Sequence, residues 1–459
     1  MIFINDLEAG IISQIKFFAD DTSLYSVVKD PEKSARELNH DLEVISKWAK
    51  QWKMSFNPDP TKPANEILFS HKRKPVVHPP LYFNGVEVKR VTEHKHLGLV
   101  LDPLLNFAAH FKEKIAKARK GIGLIKHLRS YLPTHVLEQI YKMHVRSHLD
   151  YCDFIYHIPE LVNRKKDNKG SDEIDDQESN KSDVEDDESD SIAESSVQPI
   201  RINCRMKELE SVQYQAALAV TGAWKGSSRL KLYKELGWES LHQRRYFQQI
   251  TQLFKIMNGP TSQYLVDPVP VPRRHLFGRH VTNDIYHFSH RNNRFLYSFY
   301  PDAVNSWNAL DPDVRKTDTL SGFKNEILKT IKPTKRSIFN IHDESGIRYI
   351  FQLRVGLSPL RAHKKKHNFK DTPNDRCLCG NGIETTEHYL LNCPLYQTQR
   401  ESLFSAVNSI ISLASPLNQG KDLTEMLLYG NEKLNPSQNK LILMATINFV
   451  KSTERLSAS

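Results

Sequence analysis

Residues 11–28 read IISQIKFFADDTSLYSVV. Two apolar, β-prone runs, Ile11 to Phe18 and Ser23 to Val28, flank Ala19-Asp20-Asp21-Thr22, which predicts a β-hairpin. Asp20 and Asp21 are adjacent carboxylates at its tip and repel each other. A divalent cation relieves that repulsion, and oxygen ligands suit Mg²⁺. Paired metals of this kind clamp the attacking and leaving oxygens of a nucleotidyl transfer. With nothing else around it, an Asp-Asp pair is an exposed turn.

Working outward, Asp30-Pro31 supplies a capping residue and a proline at the first helical position. Leu38, Leu42, Ile45, Trp48 and Trp52 then share one helical face. Glu66 to Ser70 and Leu97 to Leu101 read as short strands. Asn84-Gly85 between Leu81-Tyr82-Phe83 and Val86-Glu87-Val88 is a hairpin signal. From Phe107 the period becomes helical, with Ile115, Ile122, Ile125 and Leu128 as the apolar stripe. Lys112, Lys114, Lys117, Arg119, Lys120, Lys126 and Arg129 crowd the rest of that helix. Pro133-Thr134 opens another, with Val136, Leu137, Ile140 and Tyr141 inside. Further on, helices are expected near 205–221, 240–258, 320–331, 397–413 and 436–452. The fold class is α+β at first and mostly α-helical after about 200.

The chain has 459 residues and a formal net charge of +10. No run of about 18 or more apolar residues exists, so no membrane span is expected. The first residues lack the basic and apolar regions of a secretory signal. Five cysteines exclude a disulfide scaffold and fit a reducing compartment, nucleus or cytoplasm. Residues 167–195 hold 13 Asp or Glu and two Lys, a net of −11, which leaves +21 on the remainder. That acidic stretch has too little apolar surface to offset ordering entropy and is expected to be disordered. A surplus of +21 on the rest favours polyanions, nucleic acid foremost.

Cys377-Leu378-Cys379 is followed after eight residues by His388 and after four more by Cys393. Three thiolates and an imidazole suit a closed tetrahedral Zn²⁺ site. Gly380, Asn381 and Gly382 supply a turn. His388 and Cys393 are expected on one helix that ends at Pro394. Cys152 and Cys204 read as core thiols. Just upstream, Arg361 to Lys370 is a basic run. Lys364, Lys365 and Lys366 are candidates for phosphate contact, and Phe369 for stacking on a base; a solvated charged loop is the other reading.

The ordered series of motifs resembles the LINE-type, jockey-like non-LTR retrotransposon reverse transcriptases. Phe3-Ile4-Asn5-Asp6-Leu7 resembles their IxFIxxNDL tract, and Phe18-Ala19-Asp20-Asp21 their catalytic motif C. Trp48, Trp52 and Phe56-Asn57-Pro58, then Lys62, resemble motif D. His96-Leu97-Gly98-Leu99 with Asp102 resembles motif E. Leu149-Asp150-Tyr151-Cys152-Asp153 resembles the end of the thumb, with Cys152 in place of the usual glycine. Downstream, Leu209 to Gln213, Thr221-Gly222-Ala223, Glu235 to Trp238, Arg244-Arg245, Ser298 to Pro301, Trp307 to Leu310 and Leu353 to Ser358 continue it. Cys377, Cys379, His388 and Cys393, with Glu384 to Glu387, resemble the family's terminal CCHC knuckle.

The resemblance implies a partial palm over 1–105, a helical thumb over 106–160 and an acidic linker over 161–199. A helical domain over 200–370 and a zinc-knuckle region over 371–459 follow. It implies RNA-templated DNA synthesis on a DNA primer, with Asp20 and Asp21 holding Mg²⁺. Lys62 becomes the acid that protonates departing pyrophosphate; by itself Pro60-Thr61-Lys62-Pro63 reads equally as a solvated loop. Motif A, the fingers and the motif B loop lie upstream of motif C in that family, and about 17 residues precede it here. The expectation is a C-terminal portion, inactive alone. The rival readings are a non-catalytic nucleic-acid-binding remnant and a domesticated interaction protein. The purified chain should therefore show no templated primer extension, because both metals must be held for transfer. Nucleotide incorporation that disappears in Asp20→Asn would overturn this expectation.

Overall fold

The computed structural model describes residues 6–19, 21–56, 64–72, 74–156, 197–269, 285, 288, 295, 298–331, 343–411, 421–431 and 433–457. Asp20, Lys62 and the acidic stretch 167–195 lie outside the described residues. Among the described residues the fold is mixed and mostly helical, with four small two-stranded sheets. The chain divides into two units, Met1–Glu113 and Lys114–Ser459.

In the first unit β1 (Gln14–Phe18) and β2 (Asp21–Tyr25) form the expected antiparallel hairpin. The register closes at Phe18↔Asp21, with Ala19 at φ 55°. Helix α1 (Pro31–Gln51) begins as read: the Asp30 carboxylate accepts from the Glu32 and Lys33 amides, and Pro31 sits in the first turn. Its inner face is set by Ala35, Ile45, Trp48 and Ala49. Trp52 is a correction: it lies past the last helical residue and is 40% exposed. Leu7 is buried with Ile45, Trp48 and Ala49 in one cluster, and the Trp48 indole donates to the Asp6 carboxylate at 2.9 Å. Asp41, fully buried on α1, accepts the Ile12 and Ser13 amides, both at 2.8 Å.

The strand expected over Glu66 to Ser70 is shorter. Only β3 (Asn65–Glu66) forms, parallel to β6 (Lys89–Arg90) and fastened by the Arg90–Glu66 fork at 3.1–3.2 Å. Between them β4 (Tyr82–Phe83) and β5 (Val86–Glu87) turn at Asn84-Gly85, with φ 53° and 78°, the two positive values a type I′ turn requires. The strand expected from Leu97 begins at Leu99 instead. Leu97 and Gly98 take φ 45° and 82° and form the turn between β7 (His94–His96) and β8 (Leu99–Leu101). The Asp102 carboxylate then accepts the Leu104, Asn106 and Phe107 amides at 2.6–3.1 Å. Asp102 thus fastens the turn that leads into α2 (Ala108–Leu128).

In the second unit Ile115, Ile122 and Ile125 are buried as the stripe predicts. Lys114 departs from the surface reading: it is 8% exposed, and its ammonium sits 4.2 Å over the Tyr151 ring. Gly121 allows a close approach, since a Cβ there would lie 2.5 Å from the His144 carbonyl oxygen. His144 belongs to a π-helical segment, Lys142–Arg146, that continues α3 (Thr134–Tyr141). The Tyr141 ring stacks on Trp238 at 3.8 Å, and its hydroxyl donates to Gln213 at 2.9 Å.

Gln213 belongs to α4 (Val197–Thr221) and Trp238 follows α5 (Arg229–Leu236), a helix the periodicity did not announce. Arg244, at the start of α6 (Leu241–Asn258), forks onto Asp150. Phe254 of α6, Trp307 of α7 (Phe299–Asn308) and Phe323 of α8 (Leu320–Ile331) stack as one aromatic core. The last body contains α9 (Glu344–Val355), α10 (Arg361–Lys366), α11 (Gln397–Ile411), α12 (Lys421–Tyr429) and α13 (Pro436–Ser452). Arg354 of α9 is buried against Glu235 at 2.8 Å and against the Leu428 carbonyl.

Cys152 is not a core thiol. It is half-buried, with φ 57° at the end of the segment, while Cys204 has no described surroundings. A left-handed conformation costs an L-residue about 1–2 kcal/mol, partly offset by the greater chain entropy of glycine. Cys152→Gly should therefore raise stability by about 0.5–1 kcal/mol, read as a higher midpoint in urea. A lower midpoint would contradict the strained turn.

Candidate metal centre

The ligands are assembled by two tight backbone devices. The first is a ribbon: Arg376 and Ile383 bridge antiparallel, and the Cys377 amide donates to the Gly382 carbonyl at 2.8 Å. Gly380 and Gly382, at φ 78° and 110°, turn the chain between them. The Asn381 amide donates to Cys379 Sγ at 3.3 Å, so the thiol is already oriented by backbone.

The second device corrects the expected helix. Residues five apart on an α-helix point roughly 140° away from each other, so His388 and Cys393 could not converge from one. His388–Asn392 is instead a π turn. The Cys393 amide donates to the His388 carbonyl at 2.7 Å, and Cys393 itself is extended at φ −65°, ψ 119°. Thr385 Oγ1 accepts the His388 amide at 3.0 Å and fastens the start of the turn.

The outcome is a convergent donor set. Ligand atoms of Cys377, Cys379, His388 and Cys393 all lie within 4.8 Å of one another. Cys377 Sγ is 3.6 Å from Cys393 Sγ, and Cys379 Sγ is 3.2 Å from His388 Nε2. A tetrahedral zinc ion, with bonds of about 2.3 Å to sulfur and 2.0–2.1 Å to nitrogen, sets such atoms roughly 3.5–3.8 Å apart. Three sulfurs and one imidazole nitrogen with this spacing fit a closed structural site. Burial pushes the Cys377 thiol up to about 12, so binding must displace a firmly held proton.

Outer residues brace the set. The Arg400 guanidinium donates to the Leu390 carbonyl at 2.9 Å and the Cys393 carbonyl at 2.6 Å. Glu384, 2% exposed, accepts the Arg361 amide and two donors of Arg455, each at 2.7 Å. His363 bridges Ser358 Oγ at 2.8 Å and Thr386 Oγ1 at 3.4 Å, and burial pushes it down to about 4, so it is neutral. Arg400 and Arg455 were missed in the sequence: Arg455 meets Glu384 across 71 positions, and Arg400 meets main-chain carbonyls, which carry no residue pattern.

The remaining sequence-predicted residues are spread out. Asp21 lies in β2, close enough to His94 to oppose the lowering of that imidazole's pKa by burial and by His96. Lys112, Lys117, Arg119, Lys120 and Lys126 are exposed on α2, and Arg119 pairs with Glu208 at 3.3 Å. Arg129 is half-buried. The basic run 361–366 is the helix α10. Its Lys364 pairs with Asp371 at 2.8 Å and Lys365 donates to the Pro373 carbonyl, while Lys366 is exposed. Phe369 lies 5.7 Å from Trp224.

No family model matches the chain, and no solved structure matches it. A probable RNA-directed DNA polymerase from transposon BS of Drosophila melanogaster is 31% identical to it over 112 residues. That stretch is 24% of this chain and 12% of the relative. The chain thus contains a region similar to part of a transposon polymerase. No described helix is long and apolar enough to cross a membrane.

The purified chain should carry one zinc ion, measurable by metal analysis. Cys393→Ala should lose it, and chelation should lower the unfolding midpoint. Zinc content unchanged by Cys393→Ala would refute the site.

Proposed function

We propose that the chain is a nucleic-acid-binding C-terminal portion of a LINE-type, jockey-like non-LTR retrotransposon reverse transcriptase. The observation that carries the reading is the convergent Cys377, Cys379, His388 and Cys393 set in a chain with a transposon-polymerase-like region. Zinc there is structural: it joins the 376–383 ribbon to the π turn and holds α10 with its basic residues beside them.

In this reading the first hundred or so residues are palm and α2 with α3 is the thumb. Asp20 and Asp21 are the Mg²⁺ ligands and Lys62 the acid toward pyrophosphate. RNA template and DNA primer or target are the partners, in the nucleus or cytoplasm. Lys117, Lys120 and Lys126 reach the duplex backbone from α2, and Lys365 and Lys366 add to it from α10. Support comes from the charge of the chain outside 167–195 and from the exposure of these side chains.

The full chain should bind single-stranded RNA and DNA in fluorescence-anisotropy titrations, with log affinity falling linearly in log salt. Lys120→Gln combined with Lys126→Gln should weaken binding by the same factor for every sequence. The salt slope should shrink by about 1.4, two phosphate contacts at roughly 0.7 each. No binding at low salt by the zinc-loaded chain would defeat the proposal.

A further inference from the structure

Most inward-turned guanidiniums of the second unit have acceptors. Arg354 has Glu235 and the Leu428 carbonyl, Arg244 has Asp150, Arg455 has Glu384, and Arg400 has main-chain carbonyls. Arg129 and Arg348 do not. Both are half-buried, both line one small recess of about 20 Å³, and among the described residues neither has an ion pair or a hydrogen bond. No carboxylate lines that recess. The two charges also act on each other: burial first, and then Arg348, lowers the Arg129 pKa.

Holding two such groups together without an acceptor costs stability in a free chain. The fold nevertheless makes room for them. Gly222 has φ 69°, and a Cβ there would come 3.1 Å from Arg348 Nε, so the guanidinium lies against bare backbone. Thr134, the first residue of α3, is also in the lining, and that helix has no side-chain N-cap. The Thr134 and His135 amides therefore lack an intrahelical acceptor, Val136 and Leu137 donating to the Pro133 carbonyl, and the helix's positive end adds to the arginines. Thr221 contributes shape rather than a donor, since its hydroxyl is engaged by Ala217 and Ala223.

Two planar forks, the Thr134 hydroxyl and the first amides of α3, with no carboxylate among them, match the oxygens of a tetrahedral anion. The recess is far smaller than ligand pockets of about 300–1,000 Å³; it takes an oxygen or two of a phosphate group lying at its mouth and excludes a base. We propose that Arg129 and Arg348 form a phosphate-binding site, filled by a backbone phosphodiester of bound nucleic acid. The backbone source rests on the nucleic-acid reading above; the phosphate chemistry does not.

The test uses the full zinc-loaded chain, Arg129→Gln/Arg348→Gln, and Arg348→Gln alone in case the double variant does not fold. Inorganic phosphate, against chloride at equal ionic strength, should raise the unfolding midpoint of the parent and not of the variant. In phosphate-free buffer the variant should unfold at or above the parent's temperature, since a repulsion is removed; a purely structural pair would show the reverse. With single-stranded RNA, the variant's salt slope should shrink by about 0.7–1, one phosphate contact. A phosphate response lost in the variant with an unchanged RNA slope keeps the site and assigns it to free phosphate. A parent without a phosphate response, or a variant that retains it, overturns the proposal. If the parent binds neither RNA nor DNA, the nucleic-acid reading fails while the phosphate arm still decides the site.

Discussion

A charged guanidinium leaves water at a high cost unless acceptors are waiting for it, and the C-terminal body is organised around one case where they are. Arg354 reaches Glu235 of α5 across 119 positions of sequence and the Leu428 carbonyl of α12 across 74. The Tyr429 ring lies 4.6 Å from it, and the Tyr429 hydroxyl returns a hydrogen bond to the Arg354 carbonyl. Removing one partner of a buried pair costs about 3–5 kcal/mol, because the other charge is stranded. Three helices must therefore be in place together. Glycine at 356, φ 75°, caps α9 two positions after this residue and leads the chain on to Ser358.

Local signals carried well into the structure wherever their physical cause is local. The Asp30-Pro31 start, the Asn84-Gly85 turn and the helices near 240–258, 320–331 and 436–452 depend on neighbours within a turn or two. The convergent cysteines and histidine were legible for the same reason, since all four lie within 17 residues. Leu97-Gly98 was misread because a leucine says nothing of a positive φ until the opposite strand demands it. The π turn at His388 was hidden too: an α and a π turn share composition and differ only in which carbonyl the amide meets. Helices α5, α7, α9 and α12 were overlooked, because they run only 8 to 12 residues and their apolar faces repeat over too few turns to stand out.

Several segments that resemble polymerase motifs do structural work in this fold. Asp6 accepts the Trp48 indole, Asp102 gathers three amides ahead of α2, and Asp150 receives Arg244. Asn308 makes both hydrogen bonds with the Ile285 backbone, at 2.8 and 2.9 Å. Each is a polar group that needs one particular partner at one distance, and such groups tolerate few replacements. In the candidate metal centre the Cys379 thiol is held in the same manner, by the Asn381 amide, and the His388 and Cys393 backbones are held by the π turn.

The chain on either side of 157–196 is anchored in one core. Tyr141 stacks on Trp238 and meets Gln213, and Asp150 meets Arg244. Whatever joins those two sides closes a loop between points that are already fixed. The entropy of closing a flexible loop grows only with the logarithm of its length, about 0.6 kcal/mol for each doubling. A flexible connection at this position could therefore change in length at little cost to stability, while the core around Tyr141 and Arg244 stays under constraint.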